Sequence, residues 1–452
     1  MTTRPPPPSY PNAPDLPPPP RARPRSALPP PKGSVLFSPL RINRIELANR
    51  LWLPAMVTWL SNEAGEVTEA VQERYLRYAK GEVGMIVMEA MGIRDIRSGP
   101  LLRIGHDRYI PGLRTLVKRI HDRSPSKIMP QIIDFLKIAA RDPTRYLRRL
   151  LPRYPEHPDL LSYSEAQLES VLSPREFHEY RYGYRQRIED LSIEDVRKLP
   201  GLFARAAARA RRAGFDGVEL HFAHAYTVAS FLSRRNARRD GYGGQSLHTR
   251  VRLAREIVEA VRREVGTDYM VGARILGRED IEGGSDVEDA CFFARELATA
   301  GLDVLSISRG GKFEDAKQPK IGRAAYPYTG HSGLMCMPTK AFPEAYSAWP
   351  ARRIREALRG AGLDTPVVVA GRINTYPMAE TLLEEGFADL IGMARGLLAD
   401  PDWPRKVREG IEPIHYCRYN NVCEALDRNH LPVRCQLWMK RPDGGMQAPE
   451  DW

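Results

Sequence analysis

Short apolar runs alternate with segments of helical periodicity from about Val35 onward. Eight runs rich in Val, Ile, Leu and Met stand at 51–56, 85–90, 128–133, 218–222, 270–275, 304–308, 367–371 and 390–395. Between them the apolar positions recur with the 3.6-residue period, notably over 196–213, 249–265, 286–300 and 351–361. The joint from helix to run repeats as Gly214-Phe215-Asp216, Gly301-Leu302-Asp303 and Gly386-Phe387-Ala388-Asp389. In each, glycine supplies the left-handed residue that stops a helix, and the turn after it feeds a buried strand. Near-continuous apolar strands alternating with helices predict a parallel sheet covered on its faces. Eight such units over this length predict an α/β fold of the (β/α)8 TIM-barrel type. A doubly wound open sheet is the second choice, but no Gly-x-Gly-x-x-Gly fingerprint follows a strand.

Three parts follow from the texture of the chain. Residues 1–34 are dominated by proline and arginine and cannot bury enough surface to fold, which predicts a disordered Pro-rich tail. Residues 35–410 hold the barrel, and 411–452 form a short cysteine-containing extension. A charged and aromatic insertion from about 137 to 198 interrupts the rhythm after the third strand. On a barrel it belongs to the catalytic face, where a lid over the substrate mouth is the expected role and a surface excursion the bland one.

Composition narrows the function classes. With 452 residues and 42% hydrophobic positions the chain can build an enzyme-sized core. Its net charge of +12 could attract nucleic acid, yet the arginines interleave with alanine in helix-like segments such as 203–212. Solvated helix faces, and no nucleic-acid partner, are therefore expected. No run approaches the ~20 apolar residues of a membrane span. The start, Met1-Thr2-Thr3-Arg4 followed by prolines, lacks a signal-peptide core, so a cytoplasmic location without membrane attachment is the default. Five cysteines do not make a disulfide framework, although Cys417, Cys423 and Cys435 cluster near the C-terminus while Cys291 and Cys336 stand apart.

Chemistry concentrates at 218–226, where an apolar run ends in His221 and His224 and Tyr226 follows. Two imidazoles and a phenol at a strand end can bind a developing oxyanion and deliver a proton. The same spacing could serve a metal, but no third ligand of the right type lies nearby in sequence. On the barrel, Gln131 in strand three, Arg274 in strand five and Arg309 after strand six share that rim, as do Gly371-Arg372 and Ala394-Arg395 after strands seven and eight. Glycine and arginines at the last two strands suit the phosphate site that such barrels favour. Arg274 carries a charge fixed at any working pH and could face a delocalised anion, while ion pairing is the commoner role of one strand-end arginine.

The stretch from Phe203 to Val261, with its motif from Ala213 to Tyr226 and then Phe231-Leu232-Ser233 and Asp240-Gly241-Tyr242-Gly243-Gly244, resembles the Old Yellow Enzyme family of flavin-dependent NAD(P)H oxidoreductases. The resemblance starts at Leu36-Phe37-Ser38-Pro39-Leu40 and runs to Leu398-Ala399-Asp400-Pro401. It implies FMN held at the strand ends and NAD(P)H as co-substrate. Pro54, Ala55, Met56 and Val57 would line the flavin edge, with Ala90 near the pyrimidine ring. Gln131 would bond that ring, Arg274 would stabilise its negative charge, and Ala394 and Arg395, with Gly371 and Arg372, would hold the phosphate. His221 and His224 would bind an electron-withdrawing oxygen of the substrate, with Tyr226 the proton donor.

The pattern is not followed everywhere. Val57 replaces a polar residue that tunes the flavin in relatives, Asp134-Phe135-Leu136 replaces His-x-Gly, and Ala394 stands where glycine is usual. Larger relatives resembling 2,4-dienoyl-CoA reductase and trimethylamine dehydrogenase carry four cysteines for a 4Fe-4S cluster; here Asn420 fills the fourth place beside Cys417, Cys423 and Cys435. An amide is a poor iron ligand, so an empty degenerate site is expected over a three-cysteine cluster or a weak zinc relic. The expected activity is reduction of a carbonyl-conjugated alkene. An amine-type dehydrogenase passing electrons to a separate partner, or a flavin-free barrel subunit, are the alternatives; the sequence leaves homo-oligomerisation open.

Overall fold

The eight apolar runs lie side by side and all parallel in a computed structural model that describes residues 30, 33–96, 99–135, 142–244, 246–323 and 325–438. A hairpin of β1 (Leu40–Ile42) and β2 (Ile45–Leu47) precedes them. The barrel strands are β3 (Leu51–Leu53), β4 (Met85–Gly92), β5 (Lys127–Ile133), β6 (Gly217–Phe222), β7 (Met270–Arg278), β8 (Val304–Arg309), β9 (Val367–Ala370) and β10 (Leu390–Gly392). They pair in chain order and close with β10 on β3, which is the (β/α)8 barrel expected from the sequence. The proline-rich tail falls almost wholly outside the described residues, as do the start of the insertion and the end of the extension.

Three expected strands are shorter than their apolar runs, β9 by the single residue Gly371. β3 stops at Leu53 because Pro54 has no N–H for the ladder, so 54–57 leave the barrel as a loop. After β10, Ala394 and Arg395 open the helix Ala394–Ala399 rather than extending the strand. The anticipated helices form as Ile193–Ala213, Leu247–Val265, Val287–Thr299 and Ala348–Gly360. Gly214 is left-handed, as its place after a helix requires. The hairpin escapes periodicity because its strands have three residues each. Its Ile42 and Leu47 join Trp52, Met85, Met129 and Leu390 in a buried cluster at the N-terminal strand ends, so it closes the bottom of the barrel.

Between 142 and 190 the insertion is not a loop. It carries the helices Pro143–Leu150, Glu165–Val171 and Pro174–Tyr182, two of them opened by capping boxes on Ser164 and Ser173, around a core of its own that includes Tyr146, Leu160 and Tyr184. None of these described residues lines the main cavity. Instead Arg185 stacks 3.3 Å from the ring centre of Phe313, and Arg175 donates to the Pro319 carbonyl, so the insertion backs the loop after β8. The extension crosses the top of the barrel. Val433 N bonds to the Thr58 carbonyl at 3.0 Å, and His415 N to the Asp400 carboxylate at 2.9 Å. Among the described residues no helix is long and apolar enough to cross a membrane.

Candidate active site

At the C-terminal ends of the strands lies a cavity of about 1530 Å3. All the sequence-predicted cofactor and substrate residues line it: Pro54 to Val57 after β3, Ala90 on β4, Gln131 on β5, His221, His224 and Tyr226 at the end of β6, Arg274 on β7, and Gly371, Arg372, Ala394 and Arg395 after β9 and β10. A closed parallel barrel gathers residues far apart in sequence because every strand ends on the same rim. Of the clustered thiols Cys423 lines the cavity, while Cys417 and Cys435 do not.

Local devices aim these side chains. The β4–β5 register slips between Met88 and Ala90, which leaves Ala90 on the cavity. Glu89 instead accepts from Thr58 N at 3.1 Å and Thr58 Oγ1 at 2.6 Å. Gln131 sits opposite Glu219, and its amide nitrogen donates to Glu219 Oε1 at 2.7 Å, which leaves the amide oxygen available. Burial raises the Glu219 carboxyl above its usual range, against the charge of Arg274 and the bond from Gln131. Half-buried Arg274 donates to Ser306 Oγ at 2.9 Å and Ser308 Oγ at 3.2 Å.

The two histidines are not two free donors. His224 turns back in the left-handed region (φ 61°), and its Nδ1 lies 3.2 Å from His221 Nε2. His224 Nε2 lies 2.9 Å from Ser308 Oγ and 3.4 Å from Cys336 Sγ. His221 Nδ1 is buried and has no hydrogen-bond partner. Burial, with the charge of Arg274, pushes His221 down to about 3; burial and the neighbouring His221 hold His224 well below the usual range. Both imidazoles are therefore neutral at working pH. An unfolded histidine protonates near 6.5, so the unfolded chain binds more protons below that value and stability falls from pH 6.5 toward 3. The melting temperature is expected to drop over this window, and less steeply in His221→Gln, as calorimetry at stepped pH would read.

Tyr226 meets Phe135 edge to face at 5.5 Å and hydrogen-bonds to Tyr328. Burial, then the negative charge of Asp427, pushes its phenol well above the usual range, so it stays protonated. The departure at 134–135 thus supports the site. Asp134 pairs with Arg94 at 2.5 Å and accepts from Thr227 Oγ1 at 2.7 Å, at the start of the helix that follows Tyr226.

At the far end Gly371 has φ 122°, and a Cβ there would meet Ser347 Oγ at 2.9 Å. Arg372 and Arg395 both lie over the Tyr419 ring, at 4.8 and 4.9 Å, and Arg395 is steadied by Asn421 Oδ1 at 2.6 Å. Arg372 Nε is buried without a partner. Arg309, which the sequence placed on the same rim, is not available as a free cation: it is spent on a bidentate pair with Asp280 at 2.7 and 3.0 Å.

Sequence reasoning missed the contribution of the extension. The helix Val422–Arg428 and the turn after it bring Glu424, Asp427 and His430 to the cavity wall. Trp59 donates to Asp427 Oδ1 at 2.6 Å and stacks on His430 at 4.3 Å. Spacing could have placed Asp427 one turn beyond Cys423, but nothing in the sequence says the helix folds back over the barrel. Burial, opposed by the Trp59 bond, raises Asp427 to about 7. The folded chain then binds the extra proton between about 4 and 7, and stability falls as pH rises through that window. Asp427→Asn is expected to gain about 1–2 kcal/mol above pH 7, the full shift being discounted for partial exposure, and little near pH 4. Urea unfolding at both pH values measures it.

The cysteines do not fit a four-thiolate cluster. Among the described residues no three His, Cys, Asp or Glu side chains come together as a metal site. Asn420, in the fourth place, donates its amide to Gln436. Burial pushes all three thiols up, Cys435 to about 11.

The NADH:flavin oxidoreductase / NADH oxidase family profile matches residues 35–335 and 337–413. A curated "NADH oxidase" of Thermoanaerobacter brockii is 32% identical over 414 residues, covering 89% of this chain and 55% of that protein. The chain thus spans little more than half the length of this relative. The "NADPH dehydrogenase" of Bacillus subtilis is 28% identical over 394 residues, covering 85% of this chain and 98% of its own. Among solved structures, an old yellow enzyme homologue from Zymomonas mobilis superposes with a TM-score of 0.59 at 20% identity, over 92% of this chain and 98% of the other. That likeness speaks for the barrel alone.

Proposed function

The chain belongs to the NADH:flavin oxidoreductase / NADH oxidase family, and from that premise we propose that it is an FMN-dependent NAD(P)H oxidoreductase that reduces an alkene conjugated to a carbonyl. The observation that carries the reading is the end of β6. There a buried, unpartnered imidazole nitrogen of His221 stands 5.5 Å, ring to ring, from Tyr226, in the cavity that also holds Gln131, Arg274 and Arg395. The donor set fits FMN. Arg372 and Arg395 would hold the phosphate, with room left by Gly371 and Ala394. Gln131 would bond the pyrimidine edge, Arg274 would put a fixed charge beside it, and Pro54, Ala55, Met56, Val57 and Ala90 would pack along the ring. When bound, FMN supplies the hydride, taken from NADH or NADPH.

The residues of the chain act on the substrate. His221, with His224 behind it, receives the carbonyl oxygen. A neutral imidazole donates a hydrogen bond without giving up its proton, which is what an oxygen gathering negative charge requires during addition at the β-carbon. Tyr226 gives its proton to the α-carbon, and its high proton affinity keeps it loaded at neutral pH. Phe135 and Tyr328 both contact Tyr226, and Tyr326 packs edge to face on Tyr328, so aromatic rings surround the phenol.

A second reading, oxidation of an amine with electrons passed to a separate partner, is favoured by one observation. Asp427 and Glu424 bring carboxyls into a cavity walled by Trp59, Tyr226 and Tyr326, a setting that suits a protonated amine. One anaerobic experiment separates the readings. Yellow purified protein is mixed with NADH, NADPH or an alkylamine, and the flavin absorption is followed. Bleaching by a nicotinamide and recovery on adding cyclohexenone is the expected result. Bleaching by the amine alone would favour the second reading, and a colourless protein that refuses added FMN would end both.

A further inference from the structure

We propose that Ser308 is a positioning residue that fixes which nitrogen of His221 carries the proton, by relaying the donor direction of Arg274 through His224. The inference rests on His221 being the donor to the substrate oxygen. A neutral imidazole has one N–H, so such a donor works only if its proton sits on the nitrogen that faces the ligand.

Direction enters the chain of bonds at Arg274. A guanidinium can only donate, and Arg274 donates to Ser308 Oγ at 3.2 Å. That occupies a lone pair of the hydroxyl, whose own proton must point elsewhere. Its neighbours are His224 Nε2, at 2.9 Å, and the Cys336 thiol, itself 3.4 Å from the same nitrogen. An imidazole nitrogen is a far better acceptor than a thiol sulfur, so the proton goes to His224 Nε2. Neutral His224 then carries its single proton on Nδ1 and donates it to His221 Nε2 at 3.2 Å. His221 is left with its proton on Nδ1, the buried atom without a partner. Each donated bond polarises the next, so a fixed positive charge at one end sharpens the donor at the other.

The strands place the relay. Residues alternate across β8, so Leu305 and Ile307 face outward while Ser306 and Ser308 share the inner face. Ser306 pairs in register with Arg274 and Ser308 with Leu276 of β7, which sets both hydroxyls against the guanidinium. Without the hydroxyl of Ser308 the direction can reverse. His224 would then carry its proton on Nε2, toward Cys336, and accept from His221 Nε2. His221 Nδ1 would present a lone pair to the substrate oxygen and repel it.

The test uses holoenzyme labelled with 15N-histidine, with imidazole signals assigned through His221→Gln and His224→Gln. The wild type is expected to show His221 protonated on Nδ1. Ser308→Ala is expected to shift His221 toward the Nε2 form and to weaken p-hydroxybenzaldehyde binding about ten-fold or more. Ser308→Thr, which keeps the hydroxyl, is expected to restore both. Ser308→Cys, a weaker donor of similar size, should fall between and serves if the alanine variant does not fold. An unchanged His221 tautomer and affinity in Ser308→Ala would overturn the relay. Loss of affinity that threonine does not rescue would overturn it as well. If His221→Ala with His224→Ala leaves the ligand bound, the substrate-oxygen reading fails instead, and the tautomer spectra still judge the relay separately.

Discussion

Replacing both His221 and His224 with alanine is expected to weaken binding of a phenolate such as p-hydroxybenzaldehyde by about 100- to 1,000-fold while FMN stays bound. The phenolate oxygen mimics the oxygen of a substrate that is gathering charge. The variant removes the one buried ring nitrogen of the pair that has no partner, and the ring that orients it. His224 alone should cost less, because its nitrogens already bond to His221 and Ser308 and it acts through its neighbour. The two single losses should therefore not add to the double loss. Retention of FMN is expected because the residues assigned to it sit on other strands, at Gln131, Arg274, Arg372 and Arg395. Titration of the long-wavelength charge-transfer absorption gives both numbers, and an unchanged phenolate affinity would sink the oxyanion assignment.

The same pair shows what a sequence can and cannot display. Eight apolar runs separated by periodic helices announce a barrel because burial on both faces forces an apolar strand and burial on one stripe forces a helical period. Strand ends then follow, and with them the rim positions named from Pro54 to Arg395, although Trp59, Tyr326, Tyr328 and Cys336 line the same cavity without a signal in the sequence. Partnership does not follow. The spacing of His221 and His224 suggested two parallel donors, whereas the left-handed turn at His224 points one ring at the other. That turn is a backbone choice with no periodic signature. The hairpin under the barrel and the short helices at 143–182 were illegible for a related reason: elements of three to nine residues carry too few turns of period to read. Arg309 shows the converse, a rim arginine whose acidic partner Asp280 lies in the loop after β7 and consumes its charge.

The extension taught the most. Its cysteines drew attention to a cluster, yet the side chains that reach the cavity include Asp427 and His430, which no motif marked. Docking is set by scattered polar contacts, such as Asn421 on Arg395 and, between residues hundreds of positions apart, Trp59 on Asp427 and Val433 on Thr58. Such pairs leave no trace in local patterning. They make the extension part of the site rather than an appendage, and they bring a second titrating group close to the phenol.

Tyr226→Phe is expected to slow reoxidation by an enone about 100-fold, while reduction by NAD(P)H changes less than about two-fold. Only reoxidation by the enone needs a proton at the α-carbon. The ring contact to Phe135 survives the change, so the cavity wall should keep its shape. What is lost is the phenol and the acceptor for Tyr328, which leaves one buried hydroxyl unsatisfied at about 1–3 kcal/mol in stability. The residual rate should carry its own signature. Asp427 is raised to about 7, where its acid form can give up a proton near neutral pH, and its charge is the strongest electrostatic influence on Tyr226, so it is the expected substitute donor. In Tyr226→Phe the slow reoxidation should therefore quicken below pH 7, as Asp427 protonates, and that pH dependence should vanish in Tyr226→Phe with Asp427→Asn. Double-mixing stopped flow from pH 5.5 to 8.5 reads each half-reaction separately (about the range where only shifted groups and histidine titrate). Equal slowing of both half-reactions would contradict the donor role of Tyr226. A pH-independent residual rate in the single variant would remove Asp427 as the substitute donor and leave water to supply the proton.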